Sequence, residues 1–280
     1  MIRIVTDSTC DIPDEIVKEL NITVVPCFIN FGSQSYKDGV EITRQEFYER
    51  LVISRDFPTT SAPNVEAFAN TYQKLVKEGA DGIISIHMSA NLGSTYNAAQ
   101  LAAETISAVP VKVIDSRQLS MGLGFLVIAA ARMAAIGRQM GEIIESVKEM
   151  IGRVYAFAVV DTLEYLRRSG RISHLKYQLG TLLDIKPVIQ IYNGVVNMEM
   201  TRTTKKAFNR LITTIKELQP LDLVTVVHTN AKEKAEELLE VVRQLFPEKE
   251  HIFAVDVCPA IGTHMGPNVV GFVCVTQKTS

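Results

Sequence analysis

Apolar and polar positions along this chain fall into two rhythms: short apolar runs, and longer stretches with apolar residues at helical spacing. Residues 3–5 form the first run, which ends in the polar turn Thr6-Asp7-Ser8-Thr9, and residues 24–28 form a second. Ser61-Ala62-Pro63-Asn64 supplies cap candidates for a helix reaching about Lys77, with Gly79 as its stop. Residues 82–87 read as a strand, after which Ser94 or Thr95 opens an alanine-rich helix to about Ile106. A strand at 111–114 precedes a buried helix at 119–136, and one more helix starts at Gly141 and ends near Arg153.

Strands that alternate with helices predict a parallel sheet covered on both faces. Ligands of such sheets sit beyond the carboxyl ends of the strands, and the polar turns 6–9, 89–95 and 115–116 fall there. From Tyr155 the pattern changes. Residues 185–192 and 195–202 flank Asn193-Gly194, which supplies the positive φ angles of a type I′ hairpin turn. A helix at 205–219, a strand at 223–228, a helix at 231–246 and strands at 252–257 and 269–276 follow. The expected fold is α/β in two domains: residues 1–152 with a parallel sheet flanked by helices, and residues 153–280, α+β with a mixed or antiparallel sheet.

Composition narrows the class. With 280 residues, 47% hydrophobic and 21% charged, the chain fills two cores and is not disordered. A net charge of −2 offers no electrostatic footprint for nucleic acid. Cys10, Cys27, Cys258 and Cys274 form no CxxC pair and no metal-ligand spacing, so they read as reduced core residues of a cytoplasmic protein. The first strand begins almost at Met1, which leaves no room for a secretory signal. The apolar run 121–136 is interrupted by Arg132 and is shorter than the roughly 20 residues of a bilayer span.

Three polar stretches carry candidate chemistry. Thr59-Thr60-Ser61 precedes a helix, where one hydroxyl suffices as a cap and the others remain spare donors beside free N–H groups. Ser89 to Tyr96 repeats the arrangement, with Gly93 permitting close backbone approach and Ser94 and Thr95 offering hydroxyls. The third, Gly262-Thr263-His264-Met265-Gly266-Pro267, reads as a glycine-rich turn whose histidine serves as a general base or as a donor to an oxyanion. Nucleophile elbows, P-loops and metal spacings among His87, His174, His228 and His251 are all absent, so no cofactor and no metal are expected. What survives is a set of neutral donors for one small anion. Separately, Arg167, Arg168 and Arg171, followed by Lys176, make either a solvated face or a docking surface for an acidic partner.

Taken in order, Thr6-Asp-Ser-Thr-Cys-Asp-Ile-Pro13, Thr60-Ser61-x-Pro63, Leu92–Tyr96, Val113-Ile-Asp-Ser116, Leu163–Ser173 and Gly262–Pro267 resemble the DegV family, bacterial fatty-acid-binding proteins that include the FakB subunits of fatty acid kinase. The resemblance spans nearly the whole chain. It implies a two-domain α/β fold enclosing a long-chain fatty acid, with Thr60, Ser61, Ser94, Thr95 and His264 holding the carboxylate and Gly93, Thr263 and Gly266 supporting the loops. It further implies a carrier without catalysis of its own, whose Arg168 and Arg171 face a kinase that converts the carboxylate to an acyl phosphate. Transient membrane contact fits such a role, and no nucleic acid is involved. The second turn departs from the family's usual Ser-Gly-Thr-Tyr, reading Gly93-Ser94-Thr95-Tyr96, and Met265 and Asn268 stand where smaller residues are commoner.

Two other classes remain in competition on the residues alone. One is a stand-alone acyl hydrolase or transferase with His264 as base and Ser94 or Thr60 as nucleophile. The other is a binding module for a small phosphorylated metabolite.

Overall fold

The computed structural model describes residues 1–54, 56–171, 185–249 and 252–278. The expectations for Ile172-Ser173, His174, Lys176 and His251 lie outside the described residues. The first part of the chain runs β1 (Ile2–Asp7), a 3₁₀ turn (Ser8–Cys10), α1 (Asp14–Glu19), β2 (Thr23–Val25), β3 (Phe28–Phe31), β4 (Gln34–Lys37), α2 (Arg44–Ile53), β5 (Thr59–Ser61), α3 (Val65–Lys77), β6 (Gly82–His87), α4 (Thr95–Ala103), β7 (Val111–Asp115), α5 (Met121–Ala135) and α6 (Met140–Ile151). The second runs β8 (Val154–Val159), α7 (Glu164–Arg168), β9 (Lys186–Tyr192), β10 (Val195–Thr201), α8 (Thr204–Glu217), β11 (Leu221–Thr229), α9 (Lys232–Leu245), β12 (Ala254–Asp256), α10 (Pro259–Met265) and β13 (Val269–Thr276).

The fold class is as expected. Strands β2-β1-β6-β7 form a parallel sheet, while β10-β9-β8-β13-β11-β12 form a mixed one, antiparallel except where β12 runs alongside β11. Every residue of β6 is buried, as a run of Gly-Ile-Ile-Ser-Ile-His covered on both faces requires. Helices α3 and α4 cover one face of the parallel sheet through Phe68, Tyr72, Ala99 and Ala102. On its other face lies α5, apolar nearly all round, whose Leu123 and Leu126 share a core with Ile4 and Ile84 and with Val154 and Val273 of the mixed sheet. Helices α8 and α9 close the far face of the mixed sheet over Phe157, Val226 and Phe272.

Several elements differ from the sequence reading, two of them in ways that shape the fold around the site. The strand expected at 24–28 is two strands, because Pro26 has no amide hydrogen for a continuous ladder. The chain turns there: β2 joins the parallel sheet, whereas β3 pairs with β4 and β5 in a separate antiparallel sheet. The glycine-rich turn at 262–266 is the end of a helix, α10, opened by Pro259 at its first position. Gly262 serves close packing there, since a Cβ at that point would lie 2.5 Å from the Tyr48 hydroxyl. Gly266 alone has the positive φ of 73° expected of a turn.

Candidate functional site

A cavity of about 410 Å³ is walled by both halves of the chain. Its floor is one face of the mixed sheet. The register aligns Val227, Gly271, Ala158 and Ile189 across four strands, with Val273, Ala156 and Ile191 in the parallel row beside them. Side chains alternate along each strand, so Val227, Ala158, Ile189, Val273, Ala156 and Ile191 face the cavity while Val226 and Phe272 face α8 and α9. The central positions are small. A Cβ on Gly271 would meet the Phe157 carbonyl at 2.0 Å, and the two alanines leave depth that leucine or phenylalanine would fill. The remaining wall comes from Met88, Leu119, Leu166, Ile261 and Met265. Of the stretch 119–136, read from the sequence as a buried helix, Leu119 and Ser120 reach the cavity; α5 itself is core.

The wall also carries polar residues: Thr60, Ser61, Gly93, Ser94, Thr95 and His264 all line it, as do Thr9, Ser120, His228 and Thr229. Local structure explains how each becomes available. Asn64, not a hydroxyl of 59–61, caps α3 by accepting from the Ala67 amide at 2.9 Å. Residues 59–61 instead form β5 beside β3, which directs Thr60 to His264: its Oγ1 lies 3.0 Å from Nε2. Ser61 Oγ accepts a long bond of 3.4 Å from Asn30 Nδ2. Ser94 occupies the N-cap position of α4 without making a side-chain cap bond, so its exposed hydroxyl is not committed to the helix. Thr95 is buried, with its hydroxyl against the Cys27 thiol.

Other expected residues lie just behind this surface. Thr263 is fully buried and donates to the Pro259 carbonyl at 2.9 Å, and Gly266 packs on the Tyr165 ring; neither lines the cavity. Among the arginines, Arg168 is exposed, pairs with Glu164 at 2.7 Å and stacks 5.5 Å above the Phe57 ring. Arg171 differs: it lines the cavity, and Nη1 donates to the Ser169 carbonyl at 3.3 Å. Burial, reinforced by the nearby Arg171 charge, lowers the His264 pKa to about 4. The imidazole is therefore neutral at physiological pH, and its buried Nδ1 has no partner among the described residues. A neutral ring, hydroxyls and one guanidinium together suit an anion that is held and not attacked.

A serine–histidine–aspartate line that the sequence reading missed lies elsewhere. His87 Nδ1 meets Asp7 Oδ2 at 2.9 Å, and Nε2 meets Ser85 Oγ at 2.6 Å. Ser85 and His87 are two apart on one strand, which is the visible signal for a shared face. All three are sealed at 0% exposure, and Tyr72 donates to Ser85, so this line ties β1 to β6 and admits no substrate. Among the described residues no group of three or more His, Cys, Asp or Glu side chains is arranged to hold a metal ion, and no helix is long and apolar enough to cross a membrane.

The fold and this cavity define an α/β protein that encloses apolar space behind a polar, mostly uncharged rim. A family model described as an uncharacterised protein, DegV family, matches residues 1–277, and the chain belongs to the DegV family. It is 36% identical to a DegV domain-containing protein of Streptomyces coelicolor, over 97% of each chain. Two solved structures are similar throughout. A DegV family protein of Thermus thermophilus, described by its fatty acid binding, aligns with a TM-score of 0.89 and 29% identity over 99% of each chain. DegV of Bacillus subtilis, described as a fatty acid binding protein, aligns with a TM-score of 0.89 and 31% identity over 98% of this chain and 99% of that one.

Proposed function

We propose that this protein is a carrier of long-chain fatty acids, which buries the acyl chain in the cavity and holds the carboxylate at the rim formed by Thr60, Ser61, Ser94, Thr95 and His264. One observation carries the reading. A single cavity of about 410 Å³ joins an apolar floor to a polar patch in which the Thr60 hydroxyl and the neutral His264 are already 3.0 Å apart. Fatty acid binding by the Thermus thermophilus and Bacillus subtilis relatives supports it. The energetics agree. About 14 methylenes at roughly 0.8 kcal/mol each give on the order of 11 kcal/mol, against an association cost of several kcal/mol. The tail sets affinity and the head group sets orientation.

On the same reading the acid is held for a kinase. One carboxylate oxygen attacks the terminal phosphorus of a nucleoside triphosphate, the bond to the bridging oxygen breaks, and a nucleoside diphosphate leaves with an acyl phosphate formed. Arg171, in the wall beside His264, is a cation available to that added charge. Residues 1–152 and 153–280 act in this proposal as two domains that share the ligand.

The 3.0 Å contact of Thr60 and His264 also favours a second reading, a hydrolase with threonine as nucleophile. Two features weigh against it. The Nδ1 of His264 has no carboxylate to orient it among the described residues, and a pKa near 4 makes a poor base. Native mass spectrometry of protein purified from a bacterial host tests the proposal. The expected result is a bound acyl mass of about 14 to 18 carbons. Protein that neither retains nor takes up such an acid contradicts it, and ester turnover abolished by His264→Ala supports the hydrolase instead.

A further inference from the structure

Helix α10 carries His264, and its opposite end is held by groups from the other half of the chain. Cys258, at the N-cap, makes no side-chain cap bond. Two buried carboxylates take the amides there: Cys258 N donates to Asp11 Oδ1 at 2.8 Å, and Ala260 N to Asp38 Oδ2 at 3.3 Å. Asp38 Oδ2 also accepts from Ser8 Oγ at 2.9 Å, and Ser8 Oγ accepts from the Cys27 amide at 3.1 Å. Cys27 lines the cavity with its thiol against Thr95. A continuous line of hydrogen bonds thus joins the Cys27 amide to α10, and α10 delivers His264 to Thr60. Charge-assisted bonds of this kind are the stronger ones, and Asp38 is 2% exposed, so little water competes for it.

We propose that Asp38 is the positioning residue of the head-group site: it registers α10, and with it His264, against Cys27 between β2 and β3, and so against Thr95 at the start of α4. The inference rests on the head-group reading above. An aspartate is a costly choice for the task, because Asp11 lies across the same helix end and Arg44 of α2 approaches Asp11 only to 3.9 Å. Cys27, Cys258, Tyr48 and Asp256 complete the titratable surroundings. Burial first, and Asp11 second among the influences that raise it, push the Asp38 carboxyl up to about 7. Its Oδ1 is buried without a partner among the described residues. A proton therefore settles on Oδ1 while Oδ2 keeps both bonds, so the contact survives near neutrality but loses its charge assistance below it.

Two readouts test this. The first, ring NMR of His264 in delipidated protein, needs no ligand; the second is the dissociation rate of palmitate into acceptor vesicles. Asp38→Ala is expected to shift the His264 ring signals and to speed dissociation by about tenfold, as the loss of one charge-assisted bond implies. Asp38→Asn keeps an acceptor oxygen, and is expected to return both to near the wild-type value while flattening the pH dependence of dissociation around neutrality. A folded Asp38→Ala protein with unshifted His264 signals, or with wild-type palmitate release, overturns the proposal. If Asp38→Ala fails to fold, Ser8→Ala breaks the same line one bond away and is expected to show smaller shifts of the same sign; unchanged signals overturn it. Wild-type protein that binds no palmitate defeats the carrier reading alone, because the ring readout still decides the role of Asp38.

Discussion

Replacing Ala158 by leucine adds three carbon atoms to the cavity floor. Ala158 stands between Gly271 and Ile189, and a Cβ on Gly271 would already lie 2.9 Å from its own Cβ. Ala158 faces the cavity, so the larger side chain extends into it. A bound acyl chain then gives up burial of about three methylenes, or roughly 2.4 kcal/mol, which is about 60-fold in Kd. A short acid that does not reach the floor at this point keeps its affinity. Calorimetric titration of delipidated protein with stearate and with decanoate, alongside a thermal melt, measures both effects. A leucine variant that melts normally and binds stearate as tightly as the wild type would show that the chain runs elsewhere. Equal losses for both acids would point to a general distortion.

Three further outcomes follow from the same geometry. Burial raises Asp38 to about 7 and Asp11 to about 6, so the folded state binds these protons more tightly than the unfolded chain; stability is full at low pH and falls as pH rises from about 4 through about 7. Asp38→Asn should therefore stabilise the protein in urea melts at about pH 8, by up to an amount on the order of 4 kcal/mol, and change little near pH 4; equal effects at both would contradict this. Gly262→Ala drives a methyl group into the Tyr48 hydroxyl and the Phe47 ring, and should cost about 1–3 kcal/mol, read as a melting temperature lower by several degrees. Arg171→Ala removes the second cause, after burial, that lowers His264, so the ring should titrate above about 4 in NMR while palmitate remains bound; an unmoved titration would refute the proximity of the two.

Much of the architecture was legible because local rules sufficed. Asn193 and Gly194 adopt φ of 49° and 77°, as a type I′ turn requires, and the short, mostly apolar run 82–87 forms a strand buried along its whole length. The candidate site was legible as a set of residue types, since hydroxyls and one histidine flanked by glycines are uncommon beside apolar runs. Its assembly was not. Thr59-Thr60-Ser61 has no apolar alternation to mark it as a strand, and its partner β3 lies about thirty residues earlier in the chain. Helix α10 is seven residues long with a glycine inside, too short for periodicity to declare itself. The bonds that hold it, from Asp11 and Asp38, span 247 and 222 positions, and nothing in a linear pattern indicates them. Arg171 reads in the sequence as part of a run of charged residues, and nothing in that run indicates that the turn after α7 brings it to the cavity wall.

The central claim is that a fatty acid lies in this cavity with its carboxylate against Thr60 and His264. Palmitate labelled with 13C at the carboxyl carbon tests it directly by NMR. The account predicts a single bound carboxyl resonance, displaced in His264→Ala and in Thr60→Val and insensitive to excess lipid. A bound resonance unmoved by either substitution, or no bound resonance at all, contradicts it.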